Sequence, residues 1–134
     1  MRLALLWLAA CTTPHHFVEW GGANHFASEH LALADDGTGH FELSHADGTR
    51  IDRRTAMSPK EIADLQALLR SQHACGLVSN PSYQPVPDES QTTLRIDLQD
   101  LRCTVVLWDG EWSKRTDSTA IDAAIRTIIT RAQR

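Results

Sequence analysis

One amphipathic helix constrains the fold of this 134-residue chain more than any other stretch of its sequence. Ser58 is a good N-cap, Pro59 suits the first helical position, and Glu61 completes a capping box with Ser58. The apolar residues that follow recur at helical spacing: Ile62, Leu65, Leu68 and Leu69. The helix, which we expect to end near His73, therefore has an apolar face that must pack on another element.

Segments with alternating apolar residues lie on both sides of this helix and predict antiparallel strands. Before the helix, Gly37 and Gly48 sit where three-residue hairpin loops need a left-handed residue. Loops at these two positions pair apolar residues with apolar residues across neighbouring strands: Leu31 with Phe41, and Leu43 with Ile51. The sequence therefore predicts a meander from about residue 30 to residue 54.

Three further strands are predicted outside this meander. The first covers residues 17–20, and we expect the glycine pair at 21–22 to end it. Residues 79–90 contain three prolines and predict a loop. After the loop, residues 92–98 alternate, and a turn at 99–100 leads into the last strand. This turn pairs apolar residues with each other, Leu94 with Val105 and Ile96 with Cys103. It also sets the acidic Asp97 opposite the basic Arg102.

The chain closes with a turn and a second amphipathic helix. Residues 108–112 predict a turn between two tryptophans, and a helix follows from Asp117 or Ser118. This helix carries an apolar stripe that we expect to be buried: Ile121, Ala124, Ile125, Ile128 and Ile129. The order is strands, helix, two strands, helix. We therefore predict an α+β fold with an antiparallel sheet of five to six strands and two helices on one face.

The first eleven residues resemble a bacterial lipoprotein signal. Arg2 precedes an apolar run at residues 3–10, which is too short to span a bilayer, and residues 8–11, Leu-Ala-Ala-Cys, fit the lipobox of that class. The resemblance implies cleavage before Cys11 and lipidation of its thiol. The next residue is threonine, not the aspartate that retains many such lipoproteins at the inner membrane. We therefore expect an outer-membrane anchor, facing the periplasm or the cell surface. A buried N-terminal strand is the alternative interpretation.

This resemblance divides the chain and accounts for its cysteines. The parts are a signal peptide at 1–10, a tether at 11–16 and a single domain at 17–134. Lipidation of Cys11 leaves Cys75 and Cys103 as an even pair in an oxidising compartment. In the predicted register Cys103 faces the core, on the side where the helix before Cys75 docks. We therefore predict a disulfide between them.

Composition and motifs argue against several classes of function. The net charge is −4 and the basic residues do not cluster, so nucleic acid is not an expected partner. The sequence has no HExxH, Cys-x-x-Cys, G-x-S-x-G or phosphate-binding glycine motif. We therefore expect no catalytic residues, no cofactor, no metal and no enzymatic activity. The alternative is a small envelope hydrolase or metal-dependent enzyme that uses His30, His40 and Glu42.

The last hairpin predicts a surface for binding another protein. Val106 and Trp108 fall on its outer face, away from the predicted core, and Trp112 follows closely in sequence. Exposed aromatic residues are typical anchors at protein interfaces. The candidate partner-binding residues are therefore Val106, Trp108 and Trp112. The alternative is that residues 12–28 fold across this patch and cover it.

The order of motifs is similar to that of the emfourin-like inhibitors of thermolysin-type metalloproteases. The resemblance rests on Phe-Val-Glu-Trp-Gly-Gly at 17–22, Met-Ser-Pro-Lys-Glu at 57–61, and Pro-Asp at 87–88 before a strand. It spans residues 17–133, and the chain departs from the family in the 30–54 hairpin, the cysteine pair and the lipoprotein signal. It implies a non-enzymatic protein that blocks a secreted protease. No inhibitory residue of that family is assigned to a position in this chain.

Overall fold

Six antiparallel strands form a single sheet in the computed structural model, which describes residues 13–134. The strands are β1 (His16–Ala23), β2 (Ala27–Ala34), β3 (Thr38–His45), β4 (Arg50–Ala56), β5 (Gln91–Asp97) and β6 (Arg102–Trp108). They lie in the order β4-β3-β2-β1-β5-β6. The strand nearest the N-terminus is therefore in the interior of the sheet, and β4 and β6 form its two edges.

Three helices complete the α+β fold that the sequence predicted. They are α1 (Pro59–Ser71), α2 (Asp109–Lys114) and α3 (Thr119–Ala132), with a short 3-10 turn at Ala74–Gly76 after α1. The predicted capping box is present, because the Glu61 N–H donates to the Ser58 hydroxyl at 3.1 Å and the Ser58 N–H donates to the Glu61 carboxylate at 2.8 Å. The longer helices, α1 and α3, contribute buried leucines and isoleucines to a common core with the sheet.

Three of the four hairpins, β2–β3, β3–β4 and β5–β6, have the registers predicted from the sequence. The confirmed pairs are Leu31 with Phe41, Leu43 with Ile51, Leu94 with Val105, Ile96 with Cys103, and Asp97 with Arg102. Gly37 and Gly48 have φ angles of 93° and 89°. This is the left-handed conformation that the two loops require, so the glycines fix the registers of the β2–β3 and β3–β4 hairpins.

The glycine pair in β1 does not end the strand, contrary to the sequence-based expectation. β1 runs through Gly21 and Gly22 and pairs with β2 and β5 there. A β-carbon on Gly21 would lie 2.9 Å from the carbonyl oxygen of Glu29, and one on Gly22 would lie 2.7 Å from Oγ1 of Thr92. The glycines are therefore present because the neighbouring strands approach β1 closely, not because the strand stops.

Two tryptophans form the centre of the core. The rings of Trp20 and Trp112 meet edge to face with their centroids 4.9 Å apart, and Nε1 of Trp112 donates to the carbonyl of Thr92 at 2.9 Å. The predicted turn at residues 108–112 is instead the start of α2, which turns Trp112 inward. Trp112 is only 1% exposed. Its assignment to the partner-binding surface was therefore wrong.

The predicted disulfide between Cys75 and Cys103 is formed, with the two Cα atoms 5.6 Å apart. It joins the 3-10 turn after α1 to the edge strand β6. The bridge therefore attaches the turn that follows α1 to β6, the edge strand on the opposite side of the sheet from β4.

Most of the predicted signal and tether, including Cys11, lies outside the described residues. His16, which the sequence placed in the tether, begins β1. Before it, the ring of His15 lies between two carboxylates, with Nδ1 3.3 Å from Asp35 and Nε2 3.0 Å from Asp97. Among residues 13–134, no helix has the length and apolar character needed to cross a membrane.

Candidate functional site

The sheet has one face covered by helices and one open face. Residues paired across strands lie on the same face, so the ladder registers define the rows of side chains on the open face. One row is Arg54, His40, Ala32, Glu19, Arg95 and Thr104, and the next is Asp52, Glu42, His30, Gly21, Thr93 and Val106. All of these except Ala32 are exposed or half-buried. The open face is therefore a broad and mainly polar surface.

A groove of about 690 Å³ crosses the open face above β1. Gly21 lies in its floor, where the missing side chain leaves a depression, and His30, Thr93 and Val106 line its sides. The groove is a surface feature and not an enclosed cavity. Small-molecule sites usually enclose most of their ligand, so this shape suits part of another protein better than a small substrate.

Val106 lines this groove, and Trp108 lies two residues further along β6 on the same open face. Val106 is 41% exposed and Trp108 is half-buried. The Trp108 N–H donates to the Glu111 carboxylate at 3.1 Å, which fixes the backbone where β6 passes into α2. The described part of segment 12–28 contributes β1 and the start of β2, and so enters the sheet instead of covering these two residues. The apolar patch is small and stands within a polar surface.

Charged side chains around the groove pair with one another. Arg95 donates through Nη1 to Oε2 of Glu19 at 2.8 Å, and Nε2 of His30 lies 4.0 Å from Oε1 of the same carboxylate. These contacts balance positive against negative charge next to the groove. Shape and local polar contacts, more than net charge, would therefore select a partner here.

A second cluster on the open face joins His40, Glu42 and Asp52, whose potential ligand atoms lie within 4.8 Å of one another. A hydrogen bond from His40 is the main reason that the pKa of Asp52 lies below its usual value. Arg50 hydrogen-bonds Glu42 and lies 3.7 Å from Asp52, so its guanidinium already pairs with both carboxylates. His30, the remaining residue of the alternative metal site, is the cross-strand neighbour of Glu42 but is not part of this cluster, and it lines the groove instead.

A buried carboxylate that the sequence did not reveal supports the position of Trp108. Glu111 accepts hydrogen bonds from the Asn80 N–H at 2.7 Å and from the Ser79 hydroxyl at 2.8 Å, and lies 3.4 Å from Arg115. Nothing in the local sequence pattern separates Glu111 from a surface residue, since its partners come from a loop about thirty positions earlier. Its role is structural, because it ties that loop to the corner between β6 and α2.

A smaller pocket of about 220 Å³ opens where α3 meets the sheet. Arg126 lines it, donates to Glu29 at 2.8 Å and lies over the Trp20 ring, 5.7 Å from its centroid. Asp122 lies 3.7 Å from Arg126, and burial raises the pKa of the Asp122 carboxyl. These contacts hold α3 on β2, and Asp109, which also lines the pocket, accepts a hydrogen bond from the Thr92 hydroxyl at 2.5 Å.

No known protein family and no curated protein sequence matches this chain. Function is therefore inferred from the geometry of the open face together with the sequence features.

Proposed function

We propose that this protein is a lipid-anchored component of a bacterial outer membrane whose single domain binds another protein and catalyses no reaction. The observation that supports this proposal most directly is the groove above Gly21, which Val106 lines and near which Trp108 lies on the same face of β6. A sheet face that is left uncovered by helices gives such a surface a rigid base. Aliphatic and aromatic anchors surrounded by polar residues are typical of protein interfaces.

Two features support the cellular part of the proposal. The lipobox at residues 8–11 would place a diacylated cysteine at the start of the mature chain. The disulfide between Cys75 and Cys103 suits the oxidising periplasm, where such bonds persist. Both features are consistent with a domain that is exported and then held at a membrane surface.

A secreted protease of the thermolysin type is the first partner to test. The similarity of residues 17–22 and 57–61 to emfourin-like inhibitors supports this choice. In the structure, the first of these segments forms most of β1 and contains Gly21, which lies under the groove. The segment that carries part of the resemblance thus also shapes the candidate binding surface.

The direct experiment measures inhibition of a thermolysin-type protease by the full chain and by single variants. Val106→Asp places a charge in the small apolar patch, and we expect it to weaken inhibition by about thirtyfold or more, as for an interface anchor. Val86→Asp is the matched control, because Val86 is a 63% exposed valine in the loop before β5. If the wild-type chain fails to inhibit, the protease is the wrong partner. If Val106→Asp inhibits as well as wild type, the open face is the wrong surface.

The alternative, a metal-dependent enzyme, makes a different prediction. His40 and Glu42, together with Asp52, would then bind zinc with a stoichiometry of about one. Zinc would have to displace Arg50 from both carboxylates, which favours the binding-protein proposal. Calorimetric titration of the full chain with zinc, repeated on His40→Ala, distinguishes the two functions. Only tight binding that is lost in the variant would support the enzyme.

A further inference from the structure

The two edges of the sheet are protected to different degrees. Two of the four outward carbonyls of β4 have side-chain partners: the Arg53 guanidinium donates to Asp52 O at 3.1 Å, and the Arg131 guanidinium donates to Ala56 O at 3.3 Å. Charged residues also fill this strand. Natural sheets commonly use such charges to prevent an edge from pairing with another chain.

Within residues 13–134, the opposite edge, β6, is less protected than β4. From Cys103 to Trp108 the strand carries no charged residue, and both Thr104 and Val106 are exposed. An exposed edge strand presents unpaired N–H and C=O groups that can template another strand. The chemistry of β6 therefore favours pairing across this edge.

The backbone groups that are free on β6 follow from the ladder. Asp109 donates its N–H to Ser90 O at 3.0 Å, which marks this pair as hydrogen-bonded. Because bonded and non-bonded pairs alternate along an antiparallel ladder, the N–H and C=O of Thr104 and Val106 point away from β5. Within residues 13–134 neither residue joins a backbone hydrogen bond outside the sheet. The outward N–H of Trp108, in contrast, already donates to Glu111.

We propose that β6 pairs antiparallel with β6 of a second copy of this chain, so that the two sheets become one continuous sheet. The pairing is centred on Val105. Thr104 of each copy lies opposite Val106 of the other, and Arg102 of each copy lies opposite Trp108 of the other.

Hydrogen bonding selects this register over its neighbours. Centred on Val105, the pairing uses the free N–H and C=O of Thr104 and of Val106 in both copies. A shift that places Val106 opposite itself would set Thr104 against Trp108, whose N–H is already engaged. A shift in the other direction would set Thr104 opposite itself and bring no partner to Trp108.

Charge and side-chain packing favour a second copy as the occupant. In the proposed register each Arg102 faces an aromatic ring, a favourable cation–π arrangement, and no two like charges lie opposite each other. The pairing of Thr104 with Val106 brings β-branched side chains together on the open face. The two-fold axis is perpendicular to the sheet, so both open faces point in the same direction. This inference does not depend on the identity of any other partner.

Sedimentation of the full chain over a range of concentrations tests the dimer, using two matched proline variants. Val106→Pro removes an outward N–H from β6, and Arg54→Pro removes one from the equivalent outward position on β4. We expect Arg54→Pro to dimerise like wild type. Val106→Pro should raise the dissociation constant at least about tenfold, because the symmetric dimer loses two N–H donors. Circular dichroism confirms that each variant is folded.

A charge exchange tests the register and does not depend on proline. Val106→Lys alone should weaken the dimer, and adding Thr104→Glu should restore it, because the acidic side chain at 104 then faces the basic side chain at 106 of the other copy. In the double variant, a register shifted by two residues would set the two basic side chains at 106, or the two acidic side chains at 104, opposite each other. The inference is overturned by a chain that stays monomeric up to about 1 mM. Association that is equally strong in every variant, or a double variant weaker than Val106→Lys, overturns it as well.

Discussion

The carboxylate of Glu111 accepts a hydrogen bond of 2.7 Å from the backbone N–H of Asn80. Glu111 is 1% exposed and belongs to the first turn of α2, so this bond ties a long loop to the corner that holds Trp108. Burial by itself raises the pKa of Glu111. Hydrogen bonds from Asn80, Ser79 and Trp108 outweigh burial, so the pKa lies below the ordinary value of 4.5.

We predict that Glu111→Ala lowers the free energy of unfolding by about 3 kcal/mol or more, because it leaves several buried donors without an acceptor. The folded-state pKa is depressed, so the contribution of Glu111 is complete above pH 4.5 and is lost as the pH falls through the folded-state value. The difference between wild type and Glu111→Ala should therefore shrink in acid. Urea denaturation at neutral pH and below pH 4.5 measures both effects.

The control for this prediction is Asp117→Ala. Asp117 lies 2.7 Å from Arg115, a residue that also pairs with Glu111, but its side chain is 49% exposed. Exposed ion pairs contribute about 1 kcal/mol or less. If Glu111→Ala were no more destabilising than Asp117→Ala, the structural role assigned to Glu111 would be wrong.

The two tryptophans at the ends of residues 108–112 should respond differently to substitution. Trp112→Ala removes a buried ring and its hydrogen bond to Thr92, and should cost about 3–5 kcal/mol. Trp108→Ala changes a half-buried side chain and should cost less than half as much while it weakens partner binding. The urea midpoint of each variant provides the comparison. Equal destabilisation would assign Trp108 to the core and remove it from the candidate interface.

The disulfide should account for a large part of the stability. It closes a loop with a sequence separation of 28 residues, which the chain-entropy model values at about 3–4 kcal/mol. Cys75→Ser and Cys103→Ser should each lower the melting temperature, and the double variant should be little worse than either. Peptide mass spectrometry of the oxidised protein checks the pairing. Free thiols at both positions in periplasmic protein would contradict the bridge and weaken the argument for the compartment.

Lipidation at Cys11 is tested by metabolic labelling. Cells that express the full chain should incorporate labelled palmitate into the protein, and Cys11→Ala should remove the label and leave an unprocessed or soluble chain. Cys75→Ser retains the lipobox and serves as the control that must still be labelled. Label that persists in Cys11→Ala would show that the N-terminus is not a lipoprotein signal.

Local sequence signals were sufficient for most of the fold. Gly37 and Gly48 determined two loops, and alternating apolar residues then fixed the strand registers, because a slip of one residue would have moved every side chain to the other face. The capping box placed the start of α1 correctly. These features depend on residues that are close in sequence, which is why they could be predicted.

Features that depend on distant residues could not be predicted. Gly21 looked like a strand breaker because the close approach of Glu29 becomes apparent only once β2 is paired with β1. Trp112 looked like a surface residue because its partners, Trp20 and Thr92, come from the interior of the sheet. The candidate groove could not be predicted either, because its floor forms only where β2, β1 and β5 lie side by side.

The interior position of β1 determines how the domain would respond to a mechanical force. β1 is hydrogen-bonded to β2 along one side and to β5 along the other, and the proposed tether directly precedes it in sequence. A pull along the strand from a membrane anchor would load both ladders in shear, so that many hydrogen bonds must break together. An edge strand would instead expose a single ladder to the same pull. A lipid anchor at Cys11 would therefore hold the domain through the strand that is hardest to extract.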